Sequence, residues 1–188
     1  MIIAFTGTPG TGKTTVCDFI SGHSKYRKQY SIINLNKLIL EKRIYTGKDE
    51  KRDSYDADME RLRELVVQII VQTRPGMDII MEGHLSHFLP ADAVIVLRAS
   101  PVALRKRLGK RHRYSYEKIK ENANAEALDV ILVESVERNR KVFEIDTTDT
   151  PLLSVVKSVI SIIESLKKGK TPEEFLPGRI SWIEQVEQ

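Results

Sequence analysis

The sequence has little of what secreted or membrane proteins use to fold or to stay in place. Among its 188 residues there is a single cysteine, Cys17, so no internal disulfide can form and a reducing compartment is expected. This thiol is expected to be buried and structural. No apolar stretch has the length needed to cross a bilayer. The first residues form an apolar run that is expected to be a core strand, which does not resemble a signal peptide. These features favour the cytoplasm and predict no membrane partner.

Internal repeats, low-complexity segments and a clear interdomain linker are also missing from the sequence. A chain of 188 residues without them is expected to be a single domain with one sizeable core. Its hydrophobic fraction of 41% and charged fraction of 30% are those of an ordinary globular protein. The formal net charge of +4 and the pI of about 9.1 suit a polyanionic ligand such as a nucleotide. The same charge permits contact with RNA.

The most informative segment is GTPGTGKT at residues 7–14, which fits the phosphate-binding pattern G-x-x-x-x-G-K-[ST]. An apolar run precedes it and a helical pattern follows it, and this context distinguishes it from a chance glycine-rich turn. Glycines let several backbone N–H groups point inward, and the dipole of the following helix aims at the same place. Lys13 can reach the β- and γ-phosphates of ATP, and the Thr14 hydroxyl can ligate Mg²⁺. The segment therefore predicts a site for ATP and Mg²⁺.

Apolar runs alternate with helical patterns along the whole chain. Five short strands are predicted, at residues 1–5, 30–35, 78–83, 91–97 and 142–146. Helices are predicted at residues 13–21, 37–42, 59–72, 116–142 and 152–166, with another that begins at residue 102. No regular element is predicted for residues 44–58, which are rich in charged and turn-forming residues. This alternation predicts a three-layer α/β domain of the P-loop NTPase type, with a mainly parallel five-stranded sheet flanked by helices.

The third predicted strand ends in Glu82 and Gly83, and two histidines follow it. Ligands of open α/β sheets bind at the carboxyl ends of the strands, so Glu82 is placed to hold the water shell of a metal ion or to orient a nucleophile. The alternative is an ordinary surface carboxylate. His84 could orient water or a phosphate or carry a proton, and it could equally be structural. For His87 the structural role is favoured.

A basic segment follows the fourth predicted strand. Arg107 and Arg111 are four residues apart, so they share one face of the predicted helix. Two guanidinium groups on one face can clamp phosphates during transfer, because they supply charge where it develops in the transition state. The alternatives are a solvated basic face or an RNA-contacting one, and these suit Lys106 and Lys110 better.

Further motifs are spread over nearly the whole chain. They are GTPGTGKTT at residues 7–15, EGH at 82–84, FLP at 88–90, LR at 97–98, RL at 107–108 with Arg111 and Tyr114, KI at 118–119, EN at 121–122 with Glu126, and WIE at 182–184. In combination they resemble the adenylate kinase isoenzyme six family, the small nuclear adenylate kinase of eukaryotes and its archaeal relatives, within the P-loop nucleoside monophosphate kinases. The phosphate loop alone is generic, whereas the combination is fairly specific. Trp182 is also expected to dock the C-terminal tail onto the body of the protein.

This resemblance implies phosphoryl transfer from Mg·ATP to AMP, ATPase activity, a role in small ribosomal subunit assembly, and a small-subunit ribosomal protein as partner. It implies one kinase domain over residues 1–188, with a monophosphate-binding region at about residues 34–56 and a lid at about residues 110–120. By position, it assigns ATP binding to Gly10, Gly12, Lys13, Thr14, Thr15, Arg111 and Thr150. It assigns Mg²⁺ to Thr14 and Glu82, and catalysis to Lys13, Glu82, His84, Arg107 and Arg111.

The sequence departs from that family's pattern at three places. Glu82 stands where the family commonly has aspartate, Leu40 stands where some members have an arginine, and Leu-Ser-His at residues 85–87 replaces Gly-x-Asp. The second departure leaves Arg43 or Arg52 as candidates to bind the monophosphate. Two other functions stay open. One is an ATP-switched ribosome assembly factor with little kinase activity, and the other is a kinase for a different nucleoside monophosphate or a small metabolite.

Overall fold

A parallel sheet forms the centre of the protein, for which a computed structural model describes residues 1–49, 54–111 and 114–186. The strands in this part of the chain are β1 (Ile2–Thr6), β2 (Tyr30–Asn34), β3 (Tyr45–Asp49), β4 (Ser54–Ala57), β5 (Asp78–Glu82), β6 (Ala93–Arg98) and β7 (Val142–Asp146). Five of them form one parallel sheet in the order β2-β5-β1-β6-β7. The predicted five-stranded parallel sheet is confirmed.

Helices connect these strands, and several of them begin at recognisable capping residues. The α-helices are α1 (Lys13–Gly22), α2 (Leu35–Lys42), α3 (Met59–Gln72), α4 (Pro101–Gly109), α5 (Tyr116–Ala127), α6 (Val130–Arg138) and α7 (Leu152–Lys167). Single 3-10 turns lie at Ser86–Phe88, Glu173–Phe175 and Ile183–Gln185. The side chains of Asn34, Asp58, Ser100 and Ser115 each accept a hydrogen bond from a backbone N–H of the first turn that follows. No helix in these ranges is long and apolar enough to span a membrane.

Apolar clusters lie on both faces of the sheet and make the predicted three layers. On one face, Phe5 of β1 packs in a cluster with Cys17 of α1 and Val159 of α7. On the other face, Ala4 belongs to a cluster that includes Leu62 of α3. Because β1 is buried on both faces, its sequence is apolar rather than alternating. Burying each large side chain stabilises the fold by roughly 1.5–3 kcal/mol. The expected burial of the Cys17 thiol is confirmed.

One helix prediction is wrong. Residues 116–142 form two helices, α5 and α6, followed by β7 from Val142. The break lies at Asp129, whose φ of 56° is in the left-handed region. Aspartate tolerates this conformation better than most residues, and the Asp129 carboxylate accepts a hydrogen bond from Arg98 at the end of β6. An ion pair with a residue distant in sequence therefore stabilises the break. The apolar periodicity of the sequence could not predict this break, because periodicity depends only on neighbouring residues.

The segment at residues 44–58 also differs from its prediction, because β3 and β4 form an antiparallel hairpin there. Tyr45 pairs with Ala57, and the rings of Tyr45 and Tyr55 lie with their centroids 4.4 Å apart. Tyrosine favours strands when its ring packs against a cross-strand neighbour. The expected monophosphate-binding region therefore contains α2 and this hairpin. Arg52, a candidate to bind the monophosphate, lies outside the described residues.

The C-terminal tail docks at the end of the sheet, as expected. The Glu144 carboxylate on β7 accepts hydrogen bonds from the backbone N–H groups of Arg179 (2.7 Å) and Ile180 (3.2 Å). The guanidinium of Arg98 lies over the Trp182 ring, 5.2 Å from the ring centroid. A buried carboxylate and a cation–π contact therefore hold the tail.

Candidate active site

Glycines with left-handed backbone angles shape the phosphate loop between β1 and α1. Gly7 has a φ of 135°, and a Cβ atom there would lie 2.3 Å from the Leu97 carbonyl oxygen. Gly12 has a φ of 97° at the start of α1, and no described side chain caps the helix there. The Thr11 hydroxyl donates to the Thr8 carbonyl oxygen at 2.9 Å and closes the loop. The N–H groups of the first helical turn are therefore open to a phosphate group.

A cavity of about 540 Å³ is lined by this loop, the end of β5 and helix α5. Its volume is in the range of sites that hold small molecules and cofactors. It brings together eight of the predicted site residues, namely Gly10, Gly12, Lys13, Thr14, Thr15, Glu82, His84 and Arg111. It is also lined by Asn36 of the expected monophosphate-binding region, by Tyr114 and Lys118 of the expected lid, and by Glu121 and Asn122.

A second cavity, of about 290 Å³, adjoins the first on the side of α7. The two cavities share Gly10, Gly12, Thr15 and Arg111 as lining residues. Thr150 and Arg107 line only the second cavity, together with Thr147, Leu152 and Val155. The site is therefore elongated, and the glycine-rich loop lies between a larger cavity with many polar side chains and a smaller, more apolar one.

Lys13 is buried at the centre of the site. Its Nζ atom donates to the carbonyl oxygens of Gly7 (2.7 Å) and Thr8 (3.1 Å). Burial lowers the pKa of Lys13 to about 8, although the charges of Glu82 and Glu126 oppose this shift. Near pH 8 the ammonium group is therefore partly deprotonated, and an anionic ligand beside it would favour the charged form.

Glu82 ends β5 inside the first cavity and is only 1% exposed. Its Oε1 accepts a hydrogen bond from the Thr14 hydroxyl at 3.1 Å, and its Oε2 accepts one from the Asn34 amide at 2.5 Å. Burial raises the pKa of Glu82, whereas the Lys13 charge and the Thr14 hydrogen bond lower it. Thr14 and Glu82 thus present oxygen atoms side by side, and Mg²⁺ prefers oxygen ligands. These residues fit the metal that the sequence predicts.

His84 lies at the mouth of the first cavity, where part of the residue is exposed. Protein atoms that displace water from its ring, and then the positive charge of Lys13, lower the pKa of His84 to about 4. Because the residue as a whole is exposed, water limits this desolvation, but both effects favour the neutral imidazole at pH 7. In this state His84 offers one hydrogen-bond donor and one acceptor to the cavity.

His87 is buried away from both cavities, which supports the structural role favoured for it. Its Nδ1 lies 3.1 Å from the Thr6 hydroxyl, and its Nε2 lies 3.1 Å from a carboxylate oxygen of Glu134 on α6. Burial lowers the pKa of His87, although the Glu134 hydrogen bond opposes this shift. The neutral ring then donates through Nε2 to Glu134, and its Nδ1 shares the Thr6 hydroxyl proton with the His84 carbonyl oxygen, which lies 3.2 Å from that hydroxyl. His87 therefore connects the end of β1 to α6.

The two arginines predicted as a phosphate clamp differ in their surroundings. The Arg107 guanidinium donates to the carbonyl oxygens of Gly10 (3.3 Å), Thr147 and Thr148 (2.8 Å). Its two terminal nitrogens are thus engaged with main chain, and they connect the phosphate loop to the turn after β7. Arg111 lines both cavities. Arg107 therefore bridges the phosphate loop and the turn after β7, whereas a phosphate clamp stays a prediction for both arginines.

A buried charge cluster behind the phosphate loop was not predicted from the sequence. The Thr8 hydroxyl donates to a carboxylate oxygen of Glu126, whose other oxygen accepts from Arg98 Nε at 2.6 Å. Arg98 also forms ion pairs with Asp129 and, at 3.1 Å, with Glu144. Glu126 occupies a buried face of α5 among alanines, and a charged residue in such a position was the available signal.

The lid predicted at about residues 110–120 borders the first cavity. The end of α4 and the start of α5 meet there, and Ser115 caps α5 by accepting from the Lys118 N–H at 3.2 Å. The Lys118 ammonium lies 5.3 Å from the centroid of the Tyr114 ring. Residues 112 and 113 lie outside the described residues, and lid movement stays a prediction.

Known proteins are similar in sequence to most of this chain. The model of a family described as "AAA domain" matches residues 3–129. A protein of Methanosarcina acetivorans named "Putative adenylate kinase" is 46% identical over 99% of this chain and 100% of its own length. The chain belongs to the same family as this relative. A relative of the same name from Thermococcus onnurineus is 36% identical over 100% of this chain and 94% of its own length.

A solved structure gives independent support for the fold. Shikimate kinase from Bacteroides thetaiotaomicron superposes with a TM-score of 0.54, and the match covers 87% of this chain and 98% of the other. The two sequences are 17% identical, so the likeness concerns the P-loop kinase fold alone. The three-layer architecture expected from strand–helix alternation therefore agrees with both the topology and this neighbour.

Proposed function

We propose that the protein is an adenylate kinase-type phosphotransferase that converts ATP and AMP to two molecules of ADP in the presence of Mg²⁺. The observation that carries the proposal is the joint placement of Lys13, Thr14 and Glu82 at the floor of a polar cavity beside the glycine-rich loop. The near full-length relatives named as adenylate kinases support the choice of a nucleotide as substrate.

ATP would lie across the two cavities. Its phosphates would contact the N–H groups from Gly10 to Thr15, where the α1 dipole favours negative charge. Its base would occupy the second cavity, which is lined by Thr150 and Leu152. Arg111 lines both cavities and would meet the phosphate chain between them.

Mg²⁺ would be held by the Thr14 hydroxyl and, directly or through water, by the Glu82 carboxylate. It would supply positive charge that neutralises the phosphate oxygens. For Thr14 to act as a ligand, its hydroxyl oxygen needs only a lone pair, so it can keep donating its proton to Glu82.

The protein's own groups act by positioning and by charge, because phosphoryl transfer needs little covalent help from the enzyme. Lys13 would leave the carbonyl oxygens of Gly7 and Thr8 for the phosphates of ATP. Arg111 would stabilise the charge on the transferring group. His84, neutral at pH 7, would orient a phosphate oxygen or a water molecule by hydrogen bonding.

The acceptor would bind between the first cavity and the region at about residues 34–56, and the lid at about residues 110–120 would cover it. Asn36 of α2 lines the first cavity, which supports this placement. Arg43, at the end of α2, is exposed and could bind the monophosphate. The same region would select another nucleoside monophosphate or a small metabolite if AMP were not the acceptor.

A second function, that of an ATP-switched factor in small ribosomal subunit assembly, is favoured by a separate observation. Thr8 of the phosphate loop is hydrogen-bonded to Glu126, which connects through Arg98 to the C-terminal tail. The nucleotide state could thereby change a surface that binds a small-subunit ribosomal protein. Exposed Lys106 and Lys110 could contact RNA. This second proposal also assigns the protein to the isoenzyme six family and gives it ATPase activity.

Coupled ADP production from Mg·ATP, measured with and without AMP, tests the proposal. Lys13→Ala is the blank, because it removes the cation that the phosphates need. An AMP-dependent rate that disappears in Lys13→Ala is expected. A slow rate that AMP does not change, and that also disappears in the variant, would replace the kinase by an ATPase switch.

A further inference from the structure

We propose that Asn34 is a positioning residue for the Glu82 carboxylate and ties it to the first turn of α2. This inference rests on the proposed function, because it assigns Asn34 an effect on Mg·ATP. The phosphate-loop pattern does not include Asn34, and the sequence placed this residue only at the start of the region expected to bind the monophosphate.

Strand register brings the two residues together. Asn34 is the last residue of β2 and pairs with Glu82, the last residue of β5, in the parallel sheet. Both side chains therefore start from the carboxyl edge of the sheet, where the phosphate loop also begins. Their side chains meet at 2.5 Å, between Asn34 Nδ2 and Glu82 Oε2.

The orientation of the Asn34 amide follows from its second contact. Its Oδ1 accepts a hydrogen bond from the backbone N–H of Lys37 at 2.8 Å, which is the N-cap contact of α2. With the oxygen directed at the helix, the NH₂ group must face Glu82, and a carboxylate can only accept there. The two contacts are mutually consistent, so one side chain serves both the helix and the carboxylate.

The charge and burial of Glu82 make this contact important. A carboxylate that is 1% exposed needs donors, because burial disfavours its charged form. The Thr14 hydroxyl donates a hydrogen bond to Oε1, and the Asn34 amide donates one to Oε2. The Asn34 hydrogen bond thus holds the carboxylate plane so that Oε1 stays beside Thr14, where a metal ion would need it.

The same side chain couples two parts of the site. α2 begins the region expected to bind the acceptor, and Asn34 fixes the start of that helix. A shift of the first turn of α2 would therefore move the Glu82 carboxylate as well. The Asn34 amide would therefore link binding of the acceptor to the position of the Glu82 oxygen atoms that would hold the metal ion.

Three variants separate the cap from the carboxylate contact. Asn34→Ser keeps a good N-cap residue but removes the amide donor. Asn34→Ala removes both. Asp58→Ala is the matched control, because Asp58 caps α3 by accepting from Arg61 N at 3.1 Å and loses only a cap.

Affinity for the β,γ-imido analogue of ATP is measured by calorimetry for each variant, with Mg²⁺ and again in EDTA, and thermal unfolding is recorded in parallel. Mutation of a residue that hydrogen-bonds to a metal ligand typically lowers metal affinity or activity roughly 10- to 100-fold. We expect Asn34→Ser and Asn34→Ala to weaken Mg²⁺-dependent binding about tenfold and to leave binding in EDTA unchanged. All three variants should unfold at lower temperature, because Asn34→Ser still leaves the buried Glu82 Oε2 without its donor. The Mg²⁺ dependence of binding therefore separates the carboxylate contact from the cap.

Each contrary result has a distinct meaning. Wild-type Mg²⁺ dependence in Asn34→Ser would overturn the inference and leave the proposed function standing. The same loss in Asp58→Ala would also overturn it, since the effect would then come from capping. A wild-type protein whose affinity for the analogue is the same in Mg²⁺ and EDTA would overturn both the inference and the proposed use of Mg·ATP.

Discussion

At the scale of single residues, the site contains buried ionisable groups whose protonation depends on the ligand. Lys13 donates to two loop carbonyl oxygens and is surrounded by protein. Burial outweighs the attraction of Glu82 and Glu126, and this lowers its pKa to about 8. A phosphate chain would replace carbonyl dipoles by full negative charge beside the ammonium group, so nucleotide binding and protonation are linked.

This linkage predicts proton uptake by Lys13 when ATP binds at alkaline pH. With a pKa of about 8 in the free protein, about half a proton should be taken up at pH 8 and less at pH 7. Calorimetry in buffers of different ionisation enthalpy measures this number. Lys13→Arg is the control, because its guanidinium stays charged. Equal uptake in Lys13→Arg would show that another group is responsible.

His84 gives a second prediction at this scale. Its pKa is lowered to about 4, so the imidazole should stay neutral from pH 6 to pH 8. Between pH 4 and its ordinary pKa of about 6.5, the unfolded chain then binds more protons at this site than the folded one. The contribution of His84 to stability should therefore fall as the pH is lowered through that window. NMR titration of the ring measures the pKa, and a midpoint above 6 would contradict the expected shift.

At the scale of elements, the phosphate loop depends on glycine at a point of close approach. Gly7 combines a left-handed φ with a space that a Cβ atom cannot enter, because the Leu97 carbonyl of β6 lies in it. The closest atom is part of the backbone, so rotation of a neighbouring side chain, such as that of Thr11 at 3.1 Å, would not make room for a larger residue at position 7.

Gly7→Ala should therefore lose stability and nucleotide binding together. Backbone strain at such a residue costs about 1–3 kcal/mol, before the clash is counted. Gly22→Ala is the matched control at the other end of α1, where an added Cβ meets nothing within 4 Å. It should be neutral or slightly stabilising. Thermal unfolding and ATP titration measure both effects, and wild-type behaviour of Gly7→Ala would contradict the close approach of the loop to β6.

At the scale of the whole molecule, the buried charge cluster connects distant parts of the chain. Arg98 pairs with carboxylates of α5, the α5–α6 break and β7, and the Trp182 ring of the tail covers it. A buried cation of this kind is stable only with good geometry and full pairing. The tail is therefore part of the folded body rather than an appendage.

Trp182→Ala should lower stability by uncovering this cation. A largely desolvated cation–π contact contributes about 1–2 kcal/mol, which corresponds to a drop in Tm of roughly 2–8 °C for a domain of this length. Trp182→Phe keeps a ring and should retain part of the stability. Ile183→Ala, at a residue that is 57% exposed, should change little. An unchanged Tm for Trp182→Ala would show that the contact between Trp182 and Arg98 contributes nothing to the stability of the fold.

The sequence by itself determined the phosphate loop, the five parallel strands and the placement of Glu82 at a strand end. Each of these depends on residues that are close along the chain, such as GTPGTGKT or an apolar run, and local patterns report them directly. Most of the residues assigned to nucleotide binding consequently meet in the two cavities.

Only the tertiary structure decided the α5–α6 break, the β3–β4 hairpin, the different surroundings of Arg107 and Arg111, and the partners of the buried charges. Thr8 and Glu126 are 118 positions apart, and Asn34 and Glu82 are 48 apart. Whether such groups meet depends on how strands pair and how helices pack. Neither can be predicted from a pattern of neighbouring residues. The residues that hold the phosphate loop and the Glu82 carboxylate in place are therefore ones to which the sequence alone assigned no such role.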